Sequence, residues 1–125
     1  MEKQLFLRAF LLELTFVAVY LSYTMRIVKP STLKAHGQKH AKAAEWLKSF
    51  GVTAKGATWR SYQDIRQDYS SADRVSGASG RPLYVLDAGA HFRLIIAVNF
   101  KTSLVFIKDF MTHEEYNSQR WKKRH

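Results

Sequence analysis

The stretch HFRLIIAVNFKTSLVFIKDF, residues 91–110, decides how this chain folds. Two runs rich in β-branched and aromatic residues flank Lys101-Thr102, and such runs between short turn signals read as strands. A tight even-length turn makes them an antiparallel hairpin. It sets Asn99 opposite Leu104 and Arg93 opposite Phe110, so that Arg93 and Lys108 become diagonal neighbours on one face, about 7–8 Å apart at Cα. A three-residue turn would shift the register and split the two cations.

Working outward, LYVLD at 83–87 has the same texture and supplies a third sheet strand. The turn-rich SGASGRP at 76–82 precedes it. Near the start, Arg26 to Val28 is a short strand stopped by Pro30. Ser31 or Thr32 then caps a helix. In TLKAHGQKHAKAAEWLKSFG, residues 32–51, Leu33, Ala41, Ala44, Trp46, Leu47 and Phe50 fall on a helical stripe. Gly37 divides that segment and Gly51 ends it. In GATWRSYQDIRQDYSSAD, residues 56–73, Tyr62, Ile65 and Tyr69 recur at three and four, and Ser70-Ser71 close a further helix. The order is βααβββα, an α+β domain with a small antiparallel sheet and helices packed on one face.

Length and charge narrow the partners. The 125 residues make one domain, and 20 Lys+Arg against 10 Asp+Glu give a net charge of +10. That excess points to a polyanion: nucleic acid, the ribosome, an anionic membrane or an acidic protein. The absence of Cys excludes disulfides, Cys-ligated zinc and thiol nucleophiles, and fits a cytoplasmic setting.

Residues 1–24, MEKQLFLRAFLLELTFVAVYLSYT, are an apolar extension interrupted by Arg8 and Glu13. The uncharged part from Leu14 to Thr24 is shorter than the roughly 20 residues a bilayer requires, so no membrane association is expected. Two readings stand: an amphipathic helix packed on the domain, or a segment upstream of a true start at Met25. Residues 25–125 form the functional domain on either reading. The extension holds two acids and two bases, so the charge belongs to the domain.

Chemistry concentrates at the end of the chain. Thr112-His113-Glu114-Glu115 fits a capping box, with Met111 and Tyr116 at the staple positions. This structural reading leaves His113 unexplained. His113 and Tyr116 share a helix face at an N-terminus, where amides favour phosphate, and a His beside a phenol suits phosphodiester chemistry. Arg93 and Lys108 are cations inside apolar strands. They read either as snorkelling side chains or as a positive floor for a phosphate. Arg120, Lys122, Lys123 and Arg124 can neutralise backbone phosphates, with Trp121 among them to stack on a base. The same tail also reads as a solvated, frayed terminus. His36 and His40 have metal-gripping spacing but no nearby acid or Cys to complete a shell, so neither a metal nor a cofactor is expected.

Four pieces together resemble the HigB family of type II toxins: MRIV from Met25, WRSYQDIRQDYSSAD at 59–73, FRLIIAVNF at 92–100 and FIKDFMTHEEYN at 106–117. Trp59, Ser61, Asp64, Ile65, Arg66, Ser71, Ala72 and Asp73 match the first family pattern. Phe92, Arg93 and Leu94 match the second, and Thr112, His113, Glu115 and Tyr116 the third. The resemblance implies a RelE-like fold and an endoribonuclease, or mRNA interferase, that cuts mRNA on translating ribosomes without a metal. It also implies restraint by a HigA-type helix-turn-helix antitoxin. Carried over, His113 and Tyr116 become acid/base or orienting residues and Arg93 a phosphate ligand. The chain departs from the pattern at Lys108, where the family often has Arg, and at Asn117, in place of Asp. LYVLDAG also lacks an Asn or Asp at the customary spacing before its Gly.

Overall fold

The computed structural model describes residues 24–125. Of the extension expected at 1–24, all but Thr24 therefore lies outside the described residues. The chain runs β1 (Arg26–Val28), α1 (Ser31–Lys39), a 3-10 turn (Ala41–Ala43), α2 (Ala44–Gly56), α3 (Tyr62–Asp68), β2 (Asp73–Ser76), β3 (Pro82–Ala88), β4 (Phe92–Asn99), β5 (Leu104–Thr112), α4 (His113–Asn117) and a 3-10 segment (Arg120–Arg124). The α+β expectation holds. The strand order is β1-β5-β4-β3-β2, and β1 lies parallel to β5, so the sheet is mixed rather than antiparallel. The expected element order counts two helices before these strands where there are three, and it omits β2. This polar edge strand carries a single apolar side chain, Val75, and pairs through its backbone with Leu83 and its neighbours.

The central hairpin begins in the expected register, Asn99 opposite Leu104 through Ile96 opposite Ile107. Asn99 holds the turn by accepting from the amides of Lys101 and Thr102, both at 3.1 Å. The ladder then slips by one: Ile95 faces Asp109 and Arg93 faces Met111, leaving Lys108 unpaired as a bulge. Arg93 and Lys108 are therefore not diagonal neighbours. The residue diagonal to Arg93 is Asp109.

Two helix boundaries also differ from expectation. Neither Ser31 nor Thr32 caps α1; Pro30 occupies that position with no side-chain bond, and the carbonyls of Lys29 and Pro30 satisfy the amides of Thr32 and Leu33. Gly37 does not break the helix. A Cβ there would lie 3.4 Å from the Cα of Ala44, so the glycine lets α1 and α2 approach closely, and the chain breaks at His40 instead. Gly51 lies inside α2, which continues to Gly56.

Both faces of the sheet are covered. On one, Leu86, Leu94, Ile96, Val105 and Phe110 meet Leu47, Phe50, Trp59 and Ile65 from α2, α3 and the link between them. Full burial of each such aliphatic side chain contributes about 1.5–3 kcal/mol. On the other, Leu83, Val85, Ile95 and Met111 pack on Trp121 and Tyr116. The expectation of helices on one face is thus corrected: α4 and the last 3-10 segment cover part of the second.

The stretch 59–73 is scaffold. Ser61 caps α3 by accepting from the Asp64 amide, Asp64 accepts from the Arg60 amide at 2.8 Å, and buried Trp59 donates to Asp68 at 2.8 Å.

Candidate nucleic-acid interface and active site

Arg93 and Tyr116, two of the expected site residues, lie at the second sheet face. Arg93, on β4, is largely buried at 13% side-chain exposure, and its Nε donates to Asp87 on the neighbouring strand at 3.0 Å. Its Nη1 donates to the carbonyl of Phe92 at 2.7 Å and, more loosely, to those of Gly89 and Ala90. The guanidinium therefore braces the β3–β4 turn. Among the described residues its Nη2 makes no hydrogen bond.

Tyr116, on α4, stands close enough to feel Arg93, Asp87 and Asp73. Burial is the main cause that raises its phenol above the ordinary value; Asp73 and Asp87 add to it and Arg93 opposes it. At neutral pH the group is a proton donor. Its ring stacks on Trp121 at 5.4 Å and 15°, and its carbonyl accepts from the Trp121 indole at 3.0 Å.

His113 begins α4 and is exposed. The Asn117 amide donates to its Nε2 at 3.2 Å, so in that arrangement Nε2 is the unprotonated nitrogen. Thr112 caps the helix as expected, accepting from the Glu115 amide and donating to the Glu115 carboxylate, both at 3.2 Å. The expectation of amides open to phosphate is weakened here. The His113 amide donates to the His91 carbonyl at 2.8 Å, the Glu115 amide goes to its cap, and the helix is five residues long.

Lys108, exposed at the bulge, belongs to a different neighbourhood. It borders a groove of about 920 Å³ with Arg81, Lys101, Arg124 and Phe106. Among the described residues, no Asp or Glu lines that groove. Phe106, 36% exposed, is an aromatic side chain open to solvent there. Arg124 connects the two neighbourhoods, lining this groove and also a smaller cavity beside Met111 and Trp121.

The basic tail is docked rather than frayed. Arg124 and His125 donate to Asp109 at 2.6 and 3.1 Å, and the amides of Ala78 and Ser79 donate to the carbonyls of Lys122 and His125. A Cβ on Gly77 would lie 2.5 Å from the His125 carbonyl oxygen, so the close approach requires glycine. Burial alone would raise the Asp109 carboxyl, but the Arg124 and His125 hydrogen bonds outweigh it and hold the group below its ordinary value. Trp121, expected as a base-stacking aromatic, is 1% exposed, between Tyr116 and an overlying Lys122 ammonium at 5.8 Å. Its ring faces are not offered to a base. Arg120, Lys123 and Arg124 are exposed and Lys122 is half-buried.

Reading the sequence missed Phe106, Arg81 and Lys101. Strand alternation would have placed Phe106 opposite to the Val105 core position. The bulge at Lys108 leaves no local signal.

His36 and His40 pack their rings on Phe110 and Phe92 at 5.2–5.6 Å. Among the described residues no group of three or more His, Cys, Asp or Glu side chains could hold a metal ion, and no helix is long and apolar enough to cross a membrane.

A family model described as HigB_toxin, RelE-like toxic component of a toxin-antitoxin system, matches residues 41–119. No curated protein matches the chain.

Proposed function

The chain belongs to the HigB family of RelE-like toxic components of toxin-antitoxin systems, and we propose that it is a cytoplasmic endoribonuclease that cuts mRNA on translating ribosomes. Membership implies an antitoxin partner; a HigA-type protein with a helix-turn-helix domain is our reading of it. The observation that carries the proposal is Tyr116. It is a phenol kept protonated by burial, close to the Arg93 guanidinium and stacked on Trp121, which shares a small cavity with Arg124 of the cation-lined groove.

In this reading the RNA backbone follows Arg81, Lys101, Lys108 and Arg124, and Phe106 offers a face to a base. The 2′-hydroxyl attacks the adjacent phosphorus and the bond to the 5′-oxygen breaks, leaving a 2′,3′-cyclic phosphate. His113 Nε2 takes the 2′ proton, Tyr116 gives its proton to the departing 5′-oxygen, and the Arg93 Nη2 faces the developing charge. These steps use side chains alone. Lys108 contributes point charge without the two-pronged grip of an Arg. Arg120, Lys122 and Lys123 extend the contact with phosphates.

One observation favours a second reading, a binding module without catalysis: Arg93 already spends Nε and Nη1 on Asp87 and three carbonyls.

Mapping 5′ ends of a reporter mRNA after inducing the full chain separates the two. Discrete new cuts within the translated region, absent from the His113→Ala/Tyr116→Ala variant, support the nuclease and its site. Cuts persisting in that variant move the chemistry toward Arg93 and Lys108. RNA binding without cuts leaves the binding module.

A further inference from the structure

The β3–β4 turn holds two parts of the site at once. The carbonyls of Gly89, Ala90 and Phe92 collect on Nη1 of Arg93, at 3.3, 3.4 and 2.7 Å. The carbonyl between them in sequence, that of His91, receives the amide of His113 at 2.8 Å and so seats the first residue of α4. Gly89, at a φ of 69°, takes the left-handed conformation that the turn requires. The guanidinium and the helix that carries His113 and Tyr116 are thus fixed to one short loop.

Asp87 completes this frame. It stands directly opposite Arg93 across the β3–β4 ladder, and its Oδ1 accepts from Nε at 3.0 Å. With Nε and Nη1 both held, the planar guanidinium cannot turn, and Nη2 is aimed in one direction. The Arg93 side chain is 13% exposed and that of Asp87 46%, so the carboxylate keeps part of its own hydration while fixing a cation that has lost most of it. A donor oriented in advance meets developing charge without reorganising.

We propose that Asp87 is a positioning residue of this site, locking the Arg93 guanidinium against the β3–β4 turn so that Nη2 alone is offered to a non-bridging oxygen of an RNA phosphate. That this phosphate is the one cut rests on the ribonuclease reading. The lock itself is measurable without cleavage. The carboxylate has a second effect, on Tyr116. Burial leads in raising that phenol, Asp73 from β2 and Asp87 from β3 add to it, and Arg93 from β4 opposes it. Neutralising Asp87 therefore moves the phenol down.

The test records the Arg93 guanidinium signals of the full chain by NMR, free and with a 2′-O-methyl RNA that cannot be cleaved, beside single-turnover cleavage of the unmodified RNA. In the wild type the two Nη groups are expected to stay distinct, and the methylated RNA is expected to shift Nη2 while leaving Nε in place. Asp87→Ala, at an exposed position, merges the Nη signals and lowers cleavage at saturating RNA by about 10- to 100-fold, with KM changed by less than about threefold. Asp87→Asn keeps an acceptor without the charge, so Tyr116 titrates at lower pH than in the wild type, and Asp87→Glu reverses that shift. A merely structural pair would move neither the Nη pattern nor the titration. Nη signals that stay distinct in Asp87→Ala would overturn the proposal, as would an RNA-induced shift at Nε or none at Nη2. A wild type that shows the Nη2 shift and cuts nothing would end the ribonuclease reading and support the lock.

Discussion

The phenol ring of Tyr116 lies on the indole of Trp121, centroids 5.4 Å apart and planes inclined by 15°. The indole nitrogen donates back to the Tyr116 carbonyl at 3.0 Å, so the buried Trp fixes both the ring and the backbone of its neighbour. Truncation to Ala in a core of this kind costs about 3–5 kcal/mol. Trp121→Ala is therefore expected to destabilise the protein by that order in urea denaturation. Trp121→Phe retains the stack and is expected to recover most of the stability. Equal stability of both variants would show that the pair does not hold α4.

Tyr116→Phe keeps the stack and removes the proton. Stability is expected to change by less than about 1 kcal/mol, while single-turnover cleavage falls by about 100- to 10,000-fold. Because burial, Asp73 and Asp87 raise the phenol, any alkaline loss of activity due to Tyr116 falls above the ordinary phenol value of 10.0. Cleavage unaffected by this substitution removes Tyr116 from the chemistry.

Asp109 ties the tail to the sheet. Its folded value lies below the ordinary 3.8, so its contribution is present above that pH and is lost as pH falls through the lower folded value. The tail is expected to loosen only in that acid range. Asp109→Asn removes the acid dependence and costs about 1 kcal/mol at neutral pH, a figure discounted because the Arg124 side chain is 56% exposed. Amide exchange of Ala78 and Ser79 against pH reads this directly.

His36 gives a dependence of the same sign in a different window. Burial against Phe110 lowers its value below 6.5, with His40 and Lys39 assisting and Asp109 opposing. Protonation then favours the unfolded chain, so stability is full above 6.5 and declines as pH falls below it. His36→Gln is expected to flatten the melting temperature between neutral pH and that range. An unchanged slope would assign the dependence to another group.

Gly77→Ala tests the docking of the tail from the other side. The new methyl would meet the His125 carbonyl oxygen at 2.5 Å, and relief requires backbone movement. We expect a loss of about 1–3 kcal/mol and faster tryptic cleavage after Arg120, Lys122 and Lys123.

The strands from Leu83 to Phe110 were legible because β-branched and aromatic side chains crowd both faces of a sheet covered on both sides. β2 was not, since one Val among polar residues carries no period. The parallel pairing of β1 with β5 joins residues almost eighty positions apart, a relationship with no local trace. The helix break moved from Gly37 to His40 because packing against Ala44 rewarded a glycine that propensity alone penalises. At the site, the cap at Thr112 was readable from spacing. The burial of Trp121 was not, because four cations within six residues look like solvated tail until Asp109 and Gly77 receive them.

The sheet also divides the molecule's inheritance. The helices packed on one face come from the first part of the chain, and the cationic groove is lined from Ser79 onward. Between them stand side chains such as Ile95 and Ile96, which point to opposite sides of one strand and are both wholly buried. A substitution on one side reaches the other only by disturbing that wall. Each surface can therefore change its exposed side chains without repacking the face that carries the phenol.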